Sequence, residues 1–159
     1  MTPNNNFIEF WFFKPKWYEI IAYMINIKTN SEYHHCGLKI GKNFYEAKLT
    51  KGVIKSSKNF YKSDYVIKMP LNFNSKNGKI FIKHVESLVD SKYDFKAVFL
   101  GFFGKKIQKD NKYICSEILL EYFKVYLNSK KNFNTNLSPK SVMLLAEGFN
   151  LGNKNNEKQ

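Results

Sequence analysis

Arginine is absent from this chain of 159 residues, and all 26 of its basic side chains are lysine. Only 13 acidic residues oppose them, so the formal net charge is +13. Proteins that recognise a particular DNA sequence depend on arginine for bidentate contacts to guanine, which lysine reproduces poorly. The composition therefore argues against a specific nucleic-acid partner. Two interpretations of the charge stay open: a solvated lysine-rich surface that reflects codon bias, or a preference for an anionic membrane or cell-wall surface.

Cysteine is also scarce, since the chain has only Cys36 and Cys115. Two cysteines are too few for a disulfide framework or a zinc knuckle. We therefore predict two free thiols in a reducing compartment.

The sequence offers neither a secretory leader nor a long apolar run. Residues Met1 to Asn6 are polar and uncharged, whereas a signal peptide begins with a basic region that leads into an apolar one. The longest apolar stretch, Trp17 to Ile27, contains Glu19 and is about half as long as a membrane span. We expect a cytoplasmic protein or, if the source is a virus, one found in the host cytoplasm or the virion.

Apolar side chains are abundant, at 43% hydrophobic and 17% aromatic residues. This is enough to bury a core without disulfides or metal. Residues 1–150 are predicted to form a single domain, followed by a polar, disordered tail over 151–159.

The hydrophobic pattern predicts an α+β fold in which a small antiparallel sheet packs against helices. Strands are indicated at Phe7–Phe13, Tyr33–Gly41, Phe44–Ala47, Gly52–Ile54 and Tyr65–Met69. Helices are indicated at Trp17–Ile27, from just after Gly78 to about Asp90, at Cys115–Leu127, and from an N-cap at Ser138 to a stop at Gly148. The aromatic, glycine-containing segment 93–104 is predicted to be an ordered loop or a loosely helical segment.

Cys115 is the first candidate for chemistry because it stands at the predicted start of a helix. The unpaired N–H groups and the positive dipole end of a helix start stabilise a thiolate. The same groups can stabilise an oxyanion formed on an attacked carbonyl. On position alone, a small buried cysteine explains the residue as well as a nucleophile does.

A cysteine nucleophile needs a base and a group that orients that base. Of the three histidines, His84 lies on the exposed flank of a predicted helix, while His34 and His35 point to opposite faces of a strand. His35 shares its face with Gly37, which leaves room for another group to approach. Glu46, across the hairpin turn, is close enough to accept a hydrogen bond from His35.

Two blocks of sequence resemble the circularly permuted NlpC-type papain-like hydrolases, a group that includes the YiiX-like proteins and the lecithin:retinol acyltransferase relatives. The first block is the run from Tyr33 to Gly41, followed by Tyr45-Glu46-Ala47 and Gly52-Val53. The second is Lys92-Tyr93-Asp94-Phe95, followed by the run from Tyr113 to Leu119. Ser138-Pro139 resembles the start of the family's last helix, so the resemblance spans roughly residues 7 to 147 in the family's order.

The resemblance implies a permuted papain-like fold with Cys115 as nucleophile, His35 as base and Glu46 as the third residue. It implies a cysteine peptidase-like or amidase-like hydrolase, or an acyltransferase, that acts on peptide, peptidoglycan-type or lipid acyl substrates without a metal or organic cofactor. The family usually has an aliphatic residue after the histidine, where this chain has Cys36. We predict Cys36 to be a core residue because strand alternation points it away from His35.

Two other functions stay open. One is a catalytically silent structural or interaction protein of the same fold, for instance a component of a phage or viral particle. The other is a nucleic-acid-binding module that uses the net charge of +13. That module would need lysine clustered on one face, whereas the lysines are spread along the chain.

Overall fold

The structure is a computed structural model that describes residues 7–16, 27, 30–57, 62–94, 112–128 and 137–156. Within them lie an antiparallel sheet of five strands, a second sheet of two short strands, and helices. The α+β class predicted from the hydrophobic pattern is therefore confirmed. The predicted helix over 17–27 and most of the segment 93–104 lie outside the described residues.

The main sheet has the strand order β4-β3-β2-β1-β5. Its strands are β1 (Phe7–Phe13), β2 (His35–Ile40), β3 (Asn43–Lys48), β4 (Gly52–Ser56) and β5 (Tyr65–Pro70). The helices are α1 (Lys76–Ser87), α2 (Cys115–Glu121), which continues as a π-helical turn (Tyr122–Tyr126), and α3 (Pro139–Asn156). The two short strands, β6 (Lys92–Tyr93) and β7 (Lys112–Tyr113), pair in parallel.

Alternation along β1 separates the two faces of the sheet. Ile8, Phe10 and Phe12 are buried in the main core. Trp11 and Phe13 point the other way and form a second, smaller aromatic cluster with Phe44 of β3. The sheet thus has apolar side chains on both faces near the start of β2.

Helix α1 begins slightly before its predicted start. Ser75 is the N-cap, and its hydroxyl accepts a hydrogen bond from the Gly78 backbone N–H at 2.9 Å. Gly78 therefore lies inside the first turn, where the prediction placed it before the helix. A side chain at Gly78 would place its Cβ 2.0 Å from the Asn72 carbonyl oxygen, so the close approach of that loop explains the glycine.

The predicted helix from Cys115 to Leu127 is α-helical only as far as Glu121 and then widens into the π-helical turn. The buried ring of Tyr122 at this transition packs edge-on against Phe10 of the sheet and Phe81 of α1. Widening of this kind is uncommon and often lies next to functional sites.

The prediction that the last helix stops at Gly148 is wrong. Helix α3 runs from Pro139 through Gly148 to Asn156, so part of the segment predicted as a disordered tail is helical. Gly148 meets no neighbouring atom where a Cβ would stand, and the glycine has no close contact that would require it. Among the described residues, no helix has the length and apolarity needed to cross a membrane.

Candidate active site

Cys115 is the first residue of α2 and directly follows the extended residue Ile114. Helix α2 belongs to the main core and packs against β2. Only 7% of Cys115 is exposed. The thiol therefore lies in a nearly closed site at the start of a helix, as its sequence position predicts.

The ring of His35 connects the sulfur to a carboxylate. Its Nε2 lies 2.9 Å from Glu46 Oε2, and the ring also interacts with the Cys115 side chain, which lowers the pKa of the thiol. Because Nε2 is engaged by Glu46, Nδ1 is the ring nitrogen left for the sulfur. The three predicted site residues are thus in one chain of contacts, although they come from α2, β2 and β3.

Glu46 is held in place from both sides. Its side chain is only 2% exposed, and Lys48 Nζ lies 3.1 Å from its second oxygen, Oε1. Burial alone would raise the pKa of the Glu46 carboxyl, but the hydrogen bond and charge of His35, aided by Lys48, lower it overall.

The contacts favour a charged cysteine–histidine pair. Burial opposes the imidazolium form of His35, but the hydrogen bonds to Cys115 and Glu46 prevail and raise the histidine pKa to about 9. The pKa of the Cys115 thiol is lowered well below its usual range, first by a hydrogen bond from Cys36 and then, against the effect of burial, by His35. Both shifts therefore favour a thiolate on Cys115 beside an imidazolium on His35.

Cys36 is a member of the site that the sequence did not reveal. It is fully buried in the core, as predicted, but its thiol and its backbone N–H also interact with the Cys115 side chain and help to lower the pKa of that thiol. The ladder between β2 and β3 runs only from Ile40–Asn43 to Leu38–Tyr45, so β3 does not pair with the start of β2. Burial, with the neighbouring Cys115, raises the pKa of the Cys36 thiol well above its usual range and keeps it protonated.

The aromatic cluster of the outer face fixes the His35 ring. The His35 and Phe13 ring centroids are 5.7 Å apart, and Phe13 packs edge-on against Phe44. The Phe44 ring in turn lies against Gly37, where an added Cβ would come within 2.3 Å of Phe44 Cζ. The predicted room at Gly37 exists, and the ring of Phe44 occupies it.

Tyr93 is the second member that the sequence reasoning missed. Burial, followed by electrostatic interaction with the two cysteines and two nearby carboxylates, raises the pKa of its phenol. The hydroxyl of Tyr93 is therefore neutral and can donate a hydrogen bond. Its place in the run Lys92-Tyr93-Asp94-Phe95 was a usable signal, because this run and the run from Tyr113 to Leu119 come together through the parallel pair β6–β7.

The Glu117 side chain caps the start of α2. Its Oε2 accepts a hydrogen bond from the Ile114 N–H at 2.8 Å, in agreement with the expected role of an acid at a helix N-terminus. Burial raises the pKa of its carboxyl to about 7, with the neighbouring Asp94 and Glu121 acting in the same direction. Ionisation of the Glu117 carboxyl is therefore unfavourable at this position, two residues after Cys115.

His84 takes no part in the contacts around Cys115 described above. It was predicted to be a surface residue, and 32% of its side chain is exposed, but Nε2 lies 2.8 Å from Glu121 Oε2. Lys124 Nζ contacts the other Glu121 oxygen at 2.9 Å. Within the described part of the chain, no group of three or more histidine, cysteine or acidic side chains could hold a metal ion.

No family model and no curated protein matches the chain.

Proposed function

We propose that the chain is a thiol-dependent hydrolase or acyltransferase with a circularly permuted papain-like fold. The observation that carries the proposal is the contact chain from the Cys115 sulfur through the His35 ring to Glu46. Such a chain contains the nucleophile, the base and the orienting group that acyl transfer through a cysteine requires. The order of the blocks along the sequence, with the histidine strand before the cysteine helix, supports the permuted arrangement.

The first half of the reaction follows from the charges. The Cys115 thiolate attacks the carbonyl carbon of an amide, ester or thioester, and the negative charge moves to the carbonyl oxygen. We assign stabilisation of that oxygen to the N–H groups at the start of α2 and to the Tyr93 hydroxyl. His35 then gives its proton to the leaving group, and an acyl-enzyme remains.

The second half reverses the role of His35. As a neutral base it takes a proton from water, which completes hydrolysis, or from an amine or hydroxyl acceptor, which completes transfer. The carboxylate of Glu46 holds the ring and stabilises the imidazolium that forms again. The substrate is an acyl compound of the peptide, peptidoglycan or lipid class.

Capture of the acyl-enzyme tests the proposal. The reduced protein is mixed with activated esters and thioesters of short and long acyl chains and with a peptide thioester, and adducts are located by mass spectrometry. We expect one acyl group on Cys115, none in Cys115→Ala, and acylation that is about 100- to 10,000-fold slower in His35→Ala.

Cys36→Ser provides the matched control, because it removes the other thiol and keeps a donor beside Cys115. Acylation in this variant must remain on residue 115. If no Cys115 adduct forms with any of these compounds, the result would instead favour a catalytically silent structural protein of the same fold.

A further inference from the structure

The site contains a second thiol that takes no covalent part in the proposed reaction. Nucleophilic attack by Cys115 needs a base, an orienting carboxylate and oxyanion donors, whereas Cys36 is a neutral thiol buried behind the sulfur. The Cys36 side chain helps to lower the pKa of Cys115, but a hydroxyl in its place could donate a hydrogen bond to the thiolate as well, so this effect does not require a second sulfur. The thiol group of Cys36 therefore calls for a different explanation.

The geometry brings together the only two sulfurs that the chain can join. The sequence has two cysteines, and their side chains interact in the core, where α2 packs against β2. Cys36 is fully buried, whereas Cys115 keeps 7% exposure. Cys115 is therefore the more accessible of the two cysteines to a small oxidant.

We propose that Cys36 is a resolving thiol, and that hydroperoxides reversibly join Cys115 and Cys36 in a disulfide that switches the site off. This regulation rests on the proposed function only insofar as the switched site is the acyl-transfer site. The oxidant is a hydroperoxide, and the reductant that reverses the reaction is a dithiol.

The chemistry balances in two steps. The Cys115 thiolate attacks the hydroperoxide; its sulfur gains oxygen, the O–O bond breaks, and the leaving group departs as water or an alcohol after taking a proton. The sulfenic acid of Cys115 then meets the Cys36 thiol; an S–S bond forms, and the S–O bond breaks. The proton of Cys36 leaves with the hydroxyl as water, and His35, which interacts with Cys115, can carry it.

Proximity decides which product forms. A sulfenic acid without a neighbouring thiol is oxidised further to sulfinic acid, which dithiols do not reverse. Here the two thiols already interact in the reduced protein, and their sulfurs must close to a bond of about 2.05 Å. Closure is then an intramolecular step that competes well with a second molecule of oxidant.

The experiment exposes the full chain to hydrogen peroxide and follows intact mass and thiol labelling. In the wild type we expect a product lighter by two hydrogen atoms, loss of both free thiols, and full recovery with dithiothreitol. In Cys36→Ser we expect two added oxygens on Cys115 and no recovery. Non-reducing electrophoresis separates this intramolecular bond from a disulfide between two molecules.

Two outcomes would overturn the inference: sulfinic acid on Cys115 of the native wild type while Cys36 stays reduced, or a disulfide that forms only between molecules. The readouts are masses and thiol counts, so they do not depend on hydrolysis. If the reduced protein is not acylated but the disulfide forms, the result would reject the proposed function and still support the disulfide between Cys115 and Cys36.

Discussion

Glu46 is the residue whose role the sequence defines least well, because a glutamate in a hairpin is most simply a solvated charge. The structure buries it, with Oε2 at 2.9 Å from His35 Nε2 and an ion pair to Lys48 on the other oxygen. A buried carboxylate with these two partners holds an imidazole in one orientation and favours its charged form.

Glu46→Gln should therefore lower the pKa of His35 below about 9, because the amide can still accept a hydrogen bond but carries no charge. We expect Cys115 acylation to slow by about tenfold or more. The pKa of His35 is measured by NMR titration of the ring, and acylation by mass spectrometry. Lys48→Met is the control, and an equal effect in the two variants would contradict the orienting role of Glu46.

At the scale of elements, α2 buries the carboxyl group of its third residue, Glu117. Glu117 is 6% exposed and accepts a hydrogen bond from Ile114, while burial and two further acids raise the pKa of its carboxyl to about 7. A carboxyl with a raised pKa contributes stability fully below the unfolded-state pKa of about 4.5, and that contribution is lost as pH rises through 7.

Glu117→Gln removes this titration and keeps an oxygen that can accept from Ile114. The wild type should therefore lose about 3 kcal/mol relative to the variant between pH 4.5 and pH 8. Urea unfolding at a series of pH values measures the difference. If the two free energies of unfolding run parallel across that range, Glu117 does not titrate as the burial of its carboxyl requires.

Elements that have a strong local pattern were predicted well, and contacts between elements were not. Strand β1 was predicted with its observed limits, Phe7 to Phe13, because a dense apolar run is a local signal. The contact of Cys36 with Cys115 depends on where β3 stops pairing with β2, which no local pattern encodes. Strand alternation correctly placed Cys36 in the core and gave no hint that the start of α2 lies there too.

The extent of the last helix shows a different reason for failure. A glycine favours a helix end only when the chain must take a positive φ there. The residues with positive φ within the described ranges include Gly41 and Gly52, and Gly148 is not among them. The helix continues through Gly148 because the preference of a single glycine, about 1 kcal/mol, is small beside the packing of the helix on the sheet.

At the scale of the whole molecule, the lysine-rich surface is the property most open to misinterpretation. A net charge of +13 without arginine predicts attraction to polyanions by charge alone. We expect weak binding to duplex DNA that does not depend on sequence and falls by orders of magnitude between about 50 mM and 200 mM salt. Fluorescence anisotropy with two unrelated duplexes tests this, and a sequence preference that survives high salt would contradict it.

The central claim is that Cys115 is a thiolate held by His35. The most direct measurement is the rate at which iodoacetamide alkylates each cysteine as a function of pH, with the modified residue identified by mass spectrometry. We expect Cys115 to react fast well below the ordinary thiol pKa of about 8.5 and Cys36 to stay unmodified. His35→Ala should move the Cys115 profile back towards 8.5. A Cys115 that titrates near 8.5 in the wild type, or low-pH reactivity carried by Cys36, would contradict the claim.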